Sequence, residues 1–372
     1  MKILSCCFIT ALLGFNPAVV LCQKSNETNT KVITISNSII KDCFINKQYL
    51  WILEGNGVIK RLDPLNYTLI DSFSFNIPVV AIAKSPTDTV IAAAENGEVF
   101  SIYDNRDTDF LWSTHQKIQR ILFGSSNVCF LVTDAGIYEP AWTQRLYYEN
   151  AYSNGFVWRQ NSRGWRPTTV YTDEQKKIWL GFDGGEWGGD IVIFSTEKFQ
   201  FTRFREKYNT HCYLQPVRSF FTIDSSLYVV TSLQHMSTLT SEIRKIADTC
   251  TGFFESPAGD SATRNLFNKQ ELYIGPSLYN KADSCIYFYC QFGIFKGYTR
   301  KDLSLLENWE KILDTKFMWQ YGMSNAVGYG MNVSKMFFEG NRLFILSPAN
   351  AILIWDGKQR ISLRTTYKPA DD

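Results

Sequence analysis

The chain has 372 residues, 45% of them hydrophobic and 15% aromatic, which is ample for one large core or two domains and excludes a disordered chain. Its 38 Lys and Arg residues nearly balance 36 Asp and Glu, leaving a formal charge of +2, so no chain-wide field favours nucleic acid or an anionic membrane surface. Nine cysteines without a CxxC pair and three widely spaced histidines, His115, His211 and His235, exclude a disulfide scaffold and a zinc cluster.

In chain order, Lys2 precedes an apolar run from Ile3 to Leu21 that Asn16 and Pro17 interrupt. A stable span wants about 20 uninterrupted apolar residues, so residues 1–22 are predicted to be an export signal. The Leu21–Cys22 junction resembles a bacterial lipoprotein box, which makes Cys22 the candidate acylated residue, although a small residue usually stands where Leu21 does. A plainly cleaved signal and a retained anchor are the alternatives. Residues 23–30 form a polar linker, and the folded domain is predicted over 31–372. Export permits a bridge such as Cys212 with Cys250. Cys129 and Cys285 sit within apolar runs and are expected to be buried thiols.

The folded region repeats itself. The segments "QYLWILEGNGVIKRLDP", "DTVIAAAENGEVFSIYD", "NVCFLVTDAGIYEPAWT", "KKIWLGFDGGEWGGDIVIF", "SSLYVVTSLQHMSTLTSEIRKI", "SCIYFYCQFGIFKGYTR" and "NRLFILSPANAILIWDG" align without gaps up to a turn. An apolar anchor stands at Leu50, Val90, Cys129, Ile178, Leu227, Ile286 and Leu343, and a bulky residue follows at Trp51, Ile91, Phe130, Trp179, Tyr228, Tyr287 and Phe344. Seven positions after the anchor comes Gly57, Gly97, Gly136, Gly185 or Gly293, with Gln234 and Asn350 as exceptions; glycine there supplies the positive φ of a tight hairpin. The anchors are 40, 39, 49, 49, 59 and 57 residues apart, close to the period of propeller blades with insertions in the later units. An isolated blade leaves both faces wet, whereas a ring packs each sheet between two others. The prediction is an all-β, seven-bladed β-propeller of four-stranded antiparallel blades, with "KVITIS" from Lys31 closing the blade that contains "AILIWDGKQRISLRTTY". Thr238–Asp248 and Thr299–Leu313 carry helical spacing and are expected to be short helical excursions.

"KIWLGFDGG", "FLVTDAGIYE" and "YFYCQFGIFKG" resemble the bulky-x-Gly-x-x-x-Gly-aliphatic-aromatic hairpins of bacterial sensor and lipoprotein propellers. That resemblance implies a fold and no particular activity, because propellers host enzymes, receptors and scaffolds alike. "FDGGEW" is similar to the sialidase aspartate box but lacks its serine and is one residue short. Trp355–Asp356 matches the tryptophan-aspartate repeat once, without that family's histidine.

Candidate sites follow from the repeat. Asp183, Glu186 and Asp190 with Trp187 extend the fourth hairpin beyond what the turn requires and suit a cation, a sugar or a basic side chain; a wide hairpin with solvated acids is the plainer reading. Glu54, Glu95, Asp134 and Asp183 fall in the equivalent turns of the first four blades, which aligns them as an acidic arc for a basic partner, against the plain expectation that turns are polar. Arg163, Trp165 and Arg166 combine charge with flat aromatic surface, the composition of an interface hot spot, and Met318–Asn332 is rich in aromatic residues, Met and Gly. No GxSxG, HExxH or phosphate loop is present, and no cofactor or metal ligand set is recognisable. The expected function is therefore a non-catalytic, exported, monomeric propeller that binds a protein or glycan partner, such as a protective or inhibitory envelope protein, touching a membrane only through its N-terminus. The alternative is a carbohydrate-active hydrolase or lyase, with Asp183 and Glu186 at its mouth.

Overall fold

The structure, a computed structural model, describes residues 30–46, 48–104, 107–147, 167–185, 188–204, 214–235, 238–247, 250–256, 272–314, 333–347 and 351–366. Strand β1 (Thr30–Ser36) precedes seven four-strand units. Blade 1 is β2 (Ile40–Asn46), β3 (Tyr49–Glu54), β4 (Ile59–Leu62) and β5 (Leu69–Phe73), and blade 2 is β6 (Val79–Lys84), β7 (Val90–Ala94), β8 (Glu98–Ile102) and β9 (Thr108–Ser113). Blade 3 is β10 (Ile118–Phe123), β11 (Cys129–Thr133), β12 (Ile137–Glu139) and β13 (Arg145–Tyr147), and blade 4 is β14 (Pro167–Thr172), β15 (Lys177–Asp183), β16 (Gly189–Ser195) and β17 (Gln200–Arg203). Blade 5 is β18 (Val217–Ile223), β19 (Ser226–His235), β20 (Thr238–Ile246) and β21 (Cys250–Glu255), and blade 6 is β22 (Ile274–Asn280), β23 (Cys285–Cys290), β24 (Gly293–Tyr298) and β25 (Trp309–Leu313). Blade 7 is β26 (Lys335–Glu339), β27 (Arg342–Ser347), β28 (Ala351–Trp355) and β29 (Arg360–Thr365).

Each sheet runs in chain order with antiparallel neighbours, and blade 7 gains β1 as a fifth strand parallel to β29, from Thr30 opposite Arg360 to Ser36 opposite Thr365. The fold is thus the seven-bladed propeller that the repeat predicts, closed by the strand containing "KVITIS". Thr366 N donates to Ser36 O at 2.9 Å and Thr365 Oγ1 to Ser38 O at 2.7 Å, extending the seal between the two ends of the ring.

The anchor and the bulky residue explain why the blades form a ring. Seven apolar clusters lie along the seven seams. In every seam the bulky residue of one blade meets the anchor of the next: Trp51 with Val90, Ile91 with Cys129, Phe130 with Ile178, Trp179 with Leu227, Tyr228 with Ile286, Tyr287 with Leu343, and Phe344 with Leu50. Successive side chains on a strand point to opposite faces, so two adjacent apolar residues serve two different seams. The second strands are accordingly apolar on both faces: β7, β11 and β23 are buried throughout. The fourth strands are more exposed, most of all β9, where no residue is buried.

The five shared glycines all have positive φ, from +56° at Gly185 to +156° at Gly136. At Gly97 (φ +89°) a second constraint acts, because a Cβ would meet Thr114 O at 1.8 Å, where the chain leaving the fourth strand crosses the hairpin. Gln234 is not a turn residue: it stands in β19 opposite Leu239, so this hairpin is longer than the repeat implies. Asn350 lies outside the described residues.

Both helical expectations are overturned. Thr238–Ile246 is β20, paired along its length with β19. Ile243 enters the seam between blades 5 and 6 and Ile246 the seam between blades 4 and 5, so apolar spacing on a strand buried on both faces mimics one helical stripe. In Thr299–Leu313 only Leu306–Asn308 makes a single 3-10 turn before β25. Leu303, Leu306 and Trp309 cap the seam between blades 5 and 6, with Trp309 Nε1 donating to Leu303 O at 3.0 Å.

Cys129 and Cys285 are buried free thiols, as expected, and burial pushes them up to about 12 and about 11 respectively. Cys212 and the side chain of Cys250 lie outside the described residues.

Candidate binding face and central channel

The hairpins between second and third strands and the connections that enter the first strands meet at one face of the disc. A recurring hydrogen bond marks it: the residue five places after the anchor donates its N–H to the carbonyl just before the first strand of the same blade. Gly55 reaches Ile39 O at 2.8 Å, Glu95 reaches Pro78 O at 2.9 Å, Asp134 reaches Lys117 O at 3.0 Å and Ser232 reaches Pro216 O at 2.9 Å.

Just inside this face the first strands are kinked. Six of the seven shift register near their start, between Ile40 and Asp42, Val79 and Ala81, Ile118 and Arg120, Pro167 and Thr169, Val217 and Ser219, and Ile274 and Ser277. A bulge of this kind bends the strand and re-aims its side chains. The seven first strands enclose the central channel, a cavity of about 580 Å³. Among the described residues its lining holds five cationic side chains, Lys41, Lys84, Arg120, Arg218 and Lys335, against a single carboxylate, Asp42.

Strand pairing sets their depth. Lys41 and Arg218 occupy bulge positions, Arg120 follows one, and Lys335 pairs with Leu346 at the same level; all four lie at the hairpin end. Lys84 pairs with Val90 at the opposite end, 3.5 Å from Asp88. Lys335 Nζ donates to Asp42 Oδ1 at 2.8 Å and Cys43 O at 2.9 Å. Burial pulls the Lys335 pKa down and the Arg120 charge adds to that, but Asp42 and its hydrogen bond outweigh both and hold it above the ordinary value. Arg218 Nη1 pairs with Asp183 Oδ2 at 2.5 Å, and its Nε and Nη2 donate to Ser232 O at 3.2 and 3.1 Å.

The predicted acidic residues take different places. Glu54 stands four residues after its anchor, where the others stand five after theirs, and in a strand that one step reverses the side chain. It is buried at the end of β3 with Lys60 Nζ 2.6 Å away. Glu95 is exposed and Asp134 half-buried at the turns. Asp183 is half-buried; its Oδ1 accepts Gly185 N at 2.8 Å while Oδ2 holds Arg218. Asp190 is not in the loop: it opens β16 opposite Phe182 and is buried, because the strand resumes at Gly189. Glu186, Trp187, Arg163, Trp165, Arg166, residues 318–332 and Cys22 lie outside the described residues.

No repeat position marks the channel cations, although the chain carries a signal for their strands. Pro78, Pro167, Pro216 and Pro276 stand at or beside the starts of first strands. Proline lacks a ladder donor and is confined to edge strands and bulges, and the first strand is the edge that faces the channel. One further carboxylate is held in place by backbone donors. Glu139 Oε1 accepts Ala141 N at 2.6 Å and Trp142 N at 2.9 Å, and Oε2 accepts Thr143 N at 2.5 Å and Thr143 Oγ1 at 2.9 Å. Burial raises its pKa, but these donors outweigh burial and leave it below the usual carboxylate range. Among the described residues no group of three or more His, Cys, Asp or Glu is placed to hold a metal ion, and no helix is long and apolar enough to cross a membrane.

No protein-family model matches the sequence, and no curated protein matches it. Solved structures are similar in fold. YCF48 bound to a D1 peptide shares 11% identity at a TM-score of 0.56, covering 91% of this chain and 96% of that one. The extracellular domain of a hybrid two-component system from B. thetaiotaomicron shares 13% identity at a TM-score of 0.55, with 87% of this chain covered and 39% of that one. Virginiamycin B lyase from Staphylococcus aureus shares 12% identity at a TM-score of 0.53, covering 86% of this chain and 95% of that one. At these identities the likeness is one of fold.

Proposed function

We propose that the chain is a non-catalytic propeller that binds a protein or glycan partner with the hairpin face of its disc, as an exported protein of the cell envelope. The observation that carries this reading is the common face itself: hairpins of blades 1, 2, 3 and 5 are tied to the chain entering their own first strand, which makes a broad, rigid platform. Two structural neighbours support it, one solved with a peptide bound and one an extracellular domain. The signal-like run from Ile3 to Leu21 supports export, and Cys22 is the proposed point of lipid attachment. Capping a partner in this way suits a protective or inhibitory role.

Glu95 and Asp134 are the members of the predicted acidic arc that retain an open position without a cation held against them in an ion pair, and they are proposed to face a basic region of the partner. A carbohydrate-active hydrolase or lyase requires two carboxylates converging near the axis, and among the described residues the channel lining supplies Asp42 alone, already engaged by Lys335.

The test is affinity capture of a partner from envelope extract, followed by hydrogen–deuterium exchange of the purified complex. New protection is expected around Gly57, Gly97 and Gly136, with weaker binding for Glu95→Lys with Asp134→Lys. Protection confined to the opposite face, or unchanged affinity in the charge-reversed protein, contradicts the reading.

A further inference from the structure

We infer that the hairpin-side mouth of the central channel is a binding site for a small oxyanion, a carboxylate or phosphate group held between Lys41 and Arg120. This inference does not depend on the partner reading above.

Charge and position support it. The chain as a whole is almost neutral, yet among the described residues the channel lining carries five cations to one acid. Three of those cations have a carboxylate within reach: Lys335 has Asp42, Arg218 has Asp183 and Lys84 has Asp88. Lys41 and Arg120 have none among the described residues; Arg120 Nη1 donates only to the carbonyl of its neighbour Gln119, at 3.0 Å.

Both line the same cavity at its hairpin end, Lys41 at the bulge of β2 and Arg120 just after that of β10. Lys41 shares the bulge of β2 with Asp42, whose carboxylate carries the Lys335 amine. Blade 2 stands between them; its residue at the position equivalent to Arg120 is Ala81, a short side chain buried in the seam with blade 3, and its contribution to the cavity wall is Ile82, Ala83 and Lys84. Both cations are exposed, so a ligand reaches them from solvent. Two unpaired cations at the mouth of a cavity with low-dielectric walls focus a positive potential there, and a guanidinium beside an ammonium offers several donors to the oxygens of one anion. The cavity volume, about 580 Å³, is in the range of small-molecule sites.

The test is calorimetric titration of the full-length protein with sodium citrate and, separately, sodium pyrophosphate, at constant ionic strength. Binding of citrate alone assigns the site to carboxylates, of pyrophosphate alone to phosphates, and of both to the shared oxyanion chemistry. Lys41→Gln with Arg120→Gln is expected to weaken binding about tenfold or more, whereas Lys198→Gln, on the exposed turn before β17, leaves it unchanged. Should the double variant not fold, Lys41→Gln alone, at an exposed side chain, is expected to show several-fold weakening. The inference is overturned if neither anion binds the unmodified protein more tightly than about 1 mM, or if the folded variants bind as tightly as it does.

Discussion

The seams between blades and the mouth of the channel are built from the same repeat, yet they use it in opposite ways. At the seams the repeat is kept: seven times an apolar anchor meets the bulky residue of the preceding blade, with Cys129 the smallest anchor and Trp51 and Trp179 the largest partners. At the mouth the repeat is broken, because equivalent positions just after the bulge carry Asp42, Ala81, Arg120, Thr169 and Ser219. Close packing penalises variation at a seam, since each blade must fit two neighbours. The described channel lining is held to no common residue type, and its chemistry differs from blade to blade.

Substitutions that break a seam are expected to cost most. Trp179→Ala empties the contact between blades 4 and 5 and removes the hydrogen bond from its Nε1 to Asp173 Oδ2 at 2.8 Å; a loss of about 3–5 kcal/mol in urea unfolding is expected. Gly97→Ala comes next, at about 2–3 kcal/mol, because the new Cβ collides with the Thr114 carbonyl at a backbone angle that already disfavours it. Gly340→Ala sharpens that comparison: φ is +59° but no atom lies within 4 Å, so about 1 kcal/mol is expected, from backbone conformation alone.

Glu139→Gln tests a fixed carboxylate outside both regions. Its folded pKa is depressed, so its contribution is present above the unfolded value of about 4.3 and is lost as pH falls through the folded one. The variant is expected to be about 1 kcal/mol less stable at pH 7, with the difference narrowing below about pH 4. Thermal melts of both proteins across that range check it.

The contrast between seam and mouth also explains how much could be read from the chain. The anchor pair and the hairpin glycine repeat because packing and backbone geometry demand them in every blade, and they announce ring, blade count and closing strand. Lys41 and Arg120 lie upstream of their anchors on strands whose bulge has no fixed residue type, Lys335 lies upstream of its anchor on the unbulged β26, and no spacing rule points to them. Glu54 differs from the other turn acids by one register step, which makes it a buried partner of Lys60 and not a rim carboxylate. For Asp190 and the segment Thr238–Ile246 local composition points to a loop and a helix, whereas strand pairing decides their state.

The smallest expected stability change belongs to the mouth, and it bears on the central claim that function resides where the repeat is broken. The decisive measurement sets urea unfolding beside anion titration for Lys41→Gln with Arg120→Gln. Unfolding free energy within about 0.5 kcal/mol of the unmodified protein, together with an affinity about tenfold weaker, is the predicted result. Undiminished affinity, or stability that collapses along with it, contradicts the account.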